Sequence, residues 1–179
     1  MGQVWLVSHL MSASPALPTQ GVVRTAEQAP PVLRLKNILV PIDLSDASEK
    51  ALDYAVPFAR RFGAKITLLY VTQAYFCASE FAYMPVEETE MRERIRRRLE
   101  TLGTAAVGPE LLGGTLVRDG SAFDEINRVA REIHADMIVI NTHGYTGLKH
   151  ILMGSTAELV VRYAPCPVFV VRAMQQGSD

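Results

Sequence analysis

Cysteine is scarce: Cys77 and Cys166 are the only two in 179 residues. They stand far apart and belong to no CxxC pair or His-Cys cluster. Neither a disulfide framework nor a structural zinc site is indicated, and a reducing cytoplasm fits. An excess of one charge is missing too. Lys+Arg 18 against Asp+Glu 19 leaves a net charge of -1, a balance with no bulk pull toward nucleic acid or an anionic membrane. No apolar run approaches the roughly 20 residues of a membrane span. Val4-Trp5-Leu6-Val7 is apolar but short, with no Lys or Arg ahead of it, which speaks against a secretory signal. There is no Walker A sequence and no GxGxxG loop after the first strand, which argues against standard kinases and dehydrogenases.

What remains is ordinary globular composition, 49% hydrophobic and 21% charged, enough for one domain with a sizeable core. Three regions are expected: an N-terminal extension over 1–34, a domain over 35–173 and a tail over 174–179. Ser12 to Pro31 is rich in Ala, Pro, Ser, Thr and Gln and reads as a flexible arm, the alternative being an extra edge strand or a partner-docking tail.

The domain opens with Ile38 to Asp43, a buried strand that delivers an acid at its carboxyl end. Asp46 with Glu49 is expected to cap the next helix, with Ala51, Tyr54, Ala55, Phe58 and Phe62 as its apolar stripe. Pro57 should kink it, and Gly63 is placed to close it. A second strand spans Ile66 to Val71. From Val86 a polar helix carries Glu early and Arg late, in the order that suits the helix dipole, with Met91, Ile95, Leu99 and Leu102 inward. Its arginines read as a solvated face rather than a nucleic-acid patch. Leu116-Val117 is the core of a third strand. Arg118 to Ser121 then turns the chain into a helix with Ser121 as N-cap and Ile126, Val129, Ala130 and Ile133 inward.

The most informative stretch runs from Asp136 to Glu158. Met137 to Ile140 is an uninterrupted apolar run, the pattern of a strand buried on both faces of a parallel sheet. It should end at Asn141. A loop holding Gly144 and Gly147 follows, and then Gly154-Ser155, where Ser155 and Glu158 form a capping box. Ala157, Val160, Val161 and Ala164 recur at helical spacing until Pro165 stops the helix. A strand thus runs through a glycine-bearing loop into a helix N-terminus, whose unpaired N–H groups and partial positive charge suit a phosphate. Val168 to Val171 is the last strand. Strands alternate with helices throughout, so the fold class is α/β, an open parallel sheet with helices on both faces.

Gly144, the nine residues Tyr145 to Met153, and Gly154-Ser155 resemble the phosphate-binding signature of the nucleotide-binding branch of the universal stress protein family. Asn141 occupies the place of that signature's first glycine. Asn tolerates positive φ better than most residues, but its side chain stands where backbone would approach phosphate. The resemblance spans about Leu35 to Arg172, including Pro41-Ile42-Asp43 and Pro165-Cys166-Pro167. It implies a five-stranded, Rossmann-like sheet of order 3-2-1-4-5, which puts the ligand crevice between the first and fourth strands, where Asp43 and Asn141 end.

Carried over residue by residue, the resemblance implies ATP, with or without Mg2+. Pro41, Ile42 and Asp43 lie near the nucleoside and Val71 against the adenine; Gly120 reads first as serving the turn before the third helix, with the alternative that it lets that turn approach the ribose. Asn141, His143, Gly144, Gly154, Ser155 and Thr156 lie on the phosphates. The alternative for Asp43 is a helix cap. His143 has no neighbour that completes a catalytic triad or a ligand set. Cys166 reads as a small buried hydrophobe. The family implies a cytoplasmic, nucleotide-responsive binding module with at most slow hydrolysis, an unknown downstream protein partner and a homodimer through the last strand, Val168-Val171, which hides an exposed edge. The competing readings are a member acting through protein contacts without nucleotide, which Asn141 favours, and an adenylating or nucleotide-hydrolysing enzyme.

Overall fold

Short aliphatic and β-branched runs form one sheet, and the intervening helices carry the chain back across its two faces. The computed structural model describes residues 5–7, 34–72, 85–142 and 154–172. Its elements are β1 (Trp5–Val7), β2 (Asn37–Pro41), α1 (Asp46–Glu49), α2 (Leu52–Phe62), β3 (Lys65–Thr72), α3 (Pro85–Leu102), β4 (Leu112–Asp119), α4 (Ala122–Glu132), β5 (Met137–Asn141), α5 (Ser155–Tyr163) and β6 (Val168–Val171), with a π-helical turn at Gly103–Val107. The strand order is β1-β6-β5-β2-β3-β4. β2 through β6 are mutually parallel, and counted among themselves they stand in the expected order 3-2-1-4-5.

β1 is an addition. It pairs antiparallel with β6, Trp5 opposite Val170, Leu6 opposite Phe169 and Val7 opposite Val168. The N-terminal extension therefore contributes an edge strand through Trp5–Val7. The physical reason is a short apolar segment meeting a row of unpaired N–H and C=O groups. It lies along the last strand, where the family resemblance implies a second copy of the chain, so in the single chain that edge is already taken.

Alternation divides the core between the two faces. Ile38, Val40, Ile66, Leu68 and Val139 pack with Ala55, Ala59 and Leu99 on one side. Leu39, Leu69, Ile138 and Ile140 pack with Ile126, Val129, Ala130, Ala157 and Val160 on the other. β5 is buried at every position, as a central parallel strand should be. At the amino end of the sheet, the Asp136 carboxylate accepts from the backbone N–H groups of Lys36 and Asn37 at 2.7 and 2.9 Å, fastening β2 beside β5.

Gly63 closes α2 in the left-handed region, with φ 70, and Pro165 follows the end of α5, both as expected. The first helix differs. It breaks at Lys50–Ala51, ahead of Pro57, where Ala51, Asp53 and Tyr54 donate to carbonyls three residues back. Such tight turns end one helix and start another. Ser45 is its N-cap rather than Asp46. The buried stripe of α2 is Leu52, Ala55, Val56 and Ala59, while Tyr54 and Phe62 of the expected stripe are partly exposed. In α3 Leu99 is fully buried but Met91 is exposed. Three of its arginines are engaged: Arg92 pairs with Asp119, Arg96 with Glu93, and Arg98 donates to the Leu44 carbonyl.

Candidate functional site

β2 and β5 are neighbours only at their amino halves. Their register covers Ile38 with Met137 and Leu39 with Ile138; beyond it β2 continues with β3 as far as Pro41, and β5 continues with β6 as far as Asn141. The strands part because their following connections leave in opposite directions, to β3 and to β6. That split at the carboxyl ends is the topological switch point of an open α/β sheet, where such folds bind ligands.

On the β2 side, Ile42 is buried and donates to the Leu69 carbonyl at 2.8 Å, holding the chain to β3. Asp43 follows. Its Oδ1 accepts from the backbone N–H of Ser45 at 3.0 Å and from the Ser45 hydroxyl at 2.5 Å. The Ser45 hydroxyl oxygen accepts from the Ser48 N–H at 3.2 Å, and Ser48 Oγ donates to the Ser45 carbonyl at 2.9 Å. The Asp43 N–H donates back to Ser48 Oγ. The capping alternative for Asp43 is thus realised, one step removed: the carboxylate orients Ser45, and Ser45 caps α1. Within this knot Leu44 adopts φ 61, unusual for a bulky residue.

On the β3 side, Val71 lies opposite Arg118 beyond the last residue of β2. Gly120 donates to the Thr72 carbonyl at 3.0 Å and has φ 141, a backbone setting suited to glycine. Thr72 Oγ1 is buried and has no hydrogen-bond partner among the described residues.

On the β5 side, Asn141 is buried, and its side-chain amide donates to the carbonyl of Ala47 in α1. It spans the split. Thr142 donates to the Val171 carbonyl at 2.9 Å, and Gly154 donates to the Thr142 carbonyl at 2.7 Å. Thr142 and Gly154 are thereby held together. His143 and Gly144 lie outside the described residues. Gly154, not Ser155, is the N-cap of α5, with extended φ -66 and ψ 150 and no side-chain cap; Ser155 is the first helical residue. The capping-box reading is corrected on this point, since Glu158 donates to the Gly154 carbonyl. A Cβ on Gly154 would meet the Thr142 carbonyl oxygen at 3.0 Å. Gly154 brings no side chain to this helix end, and among the described residues none caps its first-turn N–H groups.

The structure thus brings Pro41, Ile42 and Asp43 to one side of the split, Asn141 with Gly154, Ser155 and Thr156 to the other, and Val71 and Gly120 to the adjoining strand ends. Sequence reasoning missed Ser45, Ser48 and Ala47. The spacing Asp43-x-Ser45 is an Asx-turn signal that points to the first of these, but nothing local marks a carbonyl as the partner of a distant amide. Cys166 stands before β6, at the opposite end of the sheet. Burial, reinforced by Asp136, pushes its thiol up to about 11. Among the described residues no helix is long and apolar enough to cross a membrane, and no three His, Cys, Asp or Glu side chains gather as a metal-ligand group.

The model of the Universal stress protein family matches residues 34–172. A universal stress protein of Methanocaldococcus jannaschii is 33% identical over 150 residues, covering 76% of this chain and 82% of that protein. Among solved structures, the hypothetical protein MJ0577 superposes with a TM-score of 0.70 at 26% identity, over 79% of this chain and 99% of that one. A universal stress protein in complex with cAMP shares the fold, with a TM-score of 0.55 at 22% identity over 78% of this chain and 98% of that one. The chain belongs to the universal stress protein family.

Proposed function

We propose that this chain is an ATP-binding regulatory module of the stress response, working in the cytoplasm. ATP, with or without Mg2+, occupies the split between β2 and β5. Asp43, with Pro41 and Ile42, borders the nucleoside, Val71 the adenine, and Gly120 the ribose. Asn141, His143, Gly144, Gly154, Ser155 and Thr156 surround the phosphates. Occupancy biases the order of the loop after β5 and the pairing of two copies through the last strand, which a downstream protein reads. Hydrolysis is slow at most.

The observation that carries this reading is the N-terminus of α5, which has no side-chain cap among the described residues and is held at Gly154 beside the carboxyl end of β5, across the switch point from Asp43. First-turn N–H groups and the helix dipole favour a phosphate there. The cAMP complex of a universal stress protein of the same fold adds support for an adenine nucleotide. The test is calorimetric titration of the nucleotide-stripped protein with Mg-ATP: micromolar binding supports the reading, and none overturns it.

One observation favours a second reading, in which the module acts through protein contacts alone. Asn141 commits its amide to Ala47 instead of leaving the glycine-lined approach. Absence of ATP binding in the parent with recovery in Asn141→Gly would select that reading.

A further inference from the structure

Among the described strands β1 alone runs antiparallel to its neighbour, and that neighbour is the last strand. A two-fold axis relating two copies of the chain would also lay one β6 antiparallel to the other. β1 therefore takes both the place and the direction that a partner's strand would take.

We propose that Trp5–Val7 is an intramolecular stand-in for β6 of a second copy, so that the N-terminal segment sets the monomer–dimer equilibrium of the chain. The inference rests on the reading of the last strand as the pairing surface, and adds that the chain covers this surface itself.

The cover is short. It matches only Val168, Phe169 and Val170, fewer residues than an ordinary strand. β1 is the terminal strand of the sheet and pairs with β6 alone, so its departure leaves the five parallel strands joined. It also leaves an apolar strip uncovered. Phe169 of β6 meets Phe58 edge-on at 5.2 Å and Tyr54 at 5.7 Å, and Phe58 stacks on Phe62 at 6.5 Å. With β1 in place, Tyr54 is still 37% exposed and Phe62 39%. Rings beside an apolar strand edge form a self-complementary surface that a second copy buries and a three-residue strand does not.

Trp5 is the only tryptophan, so its fluorescence anisotropy reports directly on β1. The comparison is between the full chain and a Leu6→Pro/Val7→Pro variant. Successive N–H groups of a strand point to opposite edges, so the pair of prolines removes the one facing β6 whichever it is. Sedimentation across a micromolar range measures association. The expected result is a monomeric parent with Trp5 held, and a variant with Trp5 released and dimerisation tighter by about tenfold or more. In the parent alone, released Trp5 and dimer should rise together with concentration, which tests the coupling even if the variant folds poorly. Trp5 as loose in the parent as in the variant overturns the cover. A parent dimer that keeps Trp5 held overturns it as well, because β1 then builds the interface. Released Trp5 with no dimer in the variant overturns the last strand as pairing surface, and so separates failure of that underlying reading from failure of the cover.

Discussion

The side-chain amide of Asn141, at the end of β5, donates to the backbone carbonyl of Ala47 in α1, across the split that opens beyond Leu39 and Ile138. Asn141 stands where the family signature has its first glycine, and a glycine cannot make this bond. Its side chain ties the β5 end to the Asp43–Ser48 knot. A position that resembles a phosphate contact has become a strut between the two walls of the crevice.

Asn141→Gly should therefore separate stability from affinity. Losing a buried hydrogen bond costs about 0.5–1.5 kcal/mol, and glycine at a strand end adds roughly 0.5–1 kcal/mol. A drop of about 1–2.5 kcal/mol in urea unfolding is expected, while Mg-ATP binding tightens as the side chain leaves the approach to phosphate. Unchanged stability would mean that the bond to Ala47 holds nothing.

Asp43 serves a fold role and a proposed ligand role, and two substitutions part them. Asp43→Asn keeps an oxygen that can accept from the Ser45 N–H and hydroxyl, so stability should fall by less than about 1 kcal/mol. Asp43→Ala removes the acceptor altogether, and with it the groups that orient the cap of α1; a loss of about 1–2 kcal/mol is expected. If Asp43 also accepts from the nucleoside, ATP affinity should drop in both variants by about tenfold. Full affinity in Asp43→Asn would confine the residue to capping.

Gly154 is tested by Gly154→Val. The first added carbon falls 3.0 Å from the Thr142 carbonyl oxygen, tighter than ordinary packing, so the junction of Thr142 and Gly154 must give way locally. The cost should be about 1–3 kcal/mol, with the sheet intact by circular dichroism and ATP binding abolished by calorimetry. Unchanged affinity would remove the α5 N-terminus from the site.

How much of this was legible in the sequence depends on the range of the interaction. The strands, their parallel order through the resemblance, the Gly63 closure and the Pro165 stop all follow from local pattern, because hydrophobic periodicity and punctuation act within a few residues. The break at Lys50–Ala51 has no proline or glycine to mark it, whereas Pro57, the one visible breaker, lies inside α2. Tyr54 and Phe62 fit helical spacing, yet the small Ala55 and Ala59 are what let α2 lie close on the sheet. At the site, Asp43 and Gly154 were readable as types at the ends of elements. The bond from Asn141 to Ala47 was not, since the donor and the carbonyl lie 94 positions apart and a carbonyl has no signature in sequence. The pairing of Trp5–Val7 with β6 was equally hidden: an apolar tetrapeptide says that it can be a strand, not which edge it will find.

Cys166 supplies a prediction at the far end of the sheet. Burial, with Asp136 nearby, raises its thiol from 9.0 to about 11, so the folded chain holds the proton more tightly than the unfolded one. The thiol's contribution to stability is thus complete below pH 9 and declines as pH rises toward 11, because the unfolded chain gives up the proton first. Urea unfolding at pH 8 and pH 10 should show a fall in stability larger for the parent than for Cys166→Ala, the variant serving to subtract other groups that titrate there. Alkylation of the native thiol at pH 8 should also lag well behind that of the unfolded chain, since the thiolate is the reactive form. Equal pH dependence in parent and variant, or rapid alkylation of Cys166 itself in the native protein, would show that this thiol is not held neutral by its surroundings.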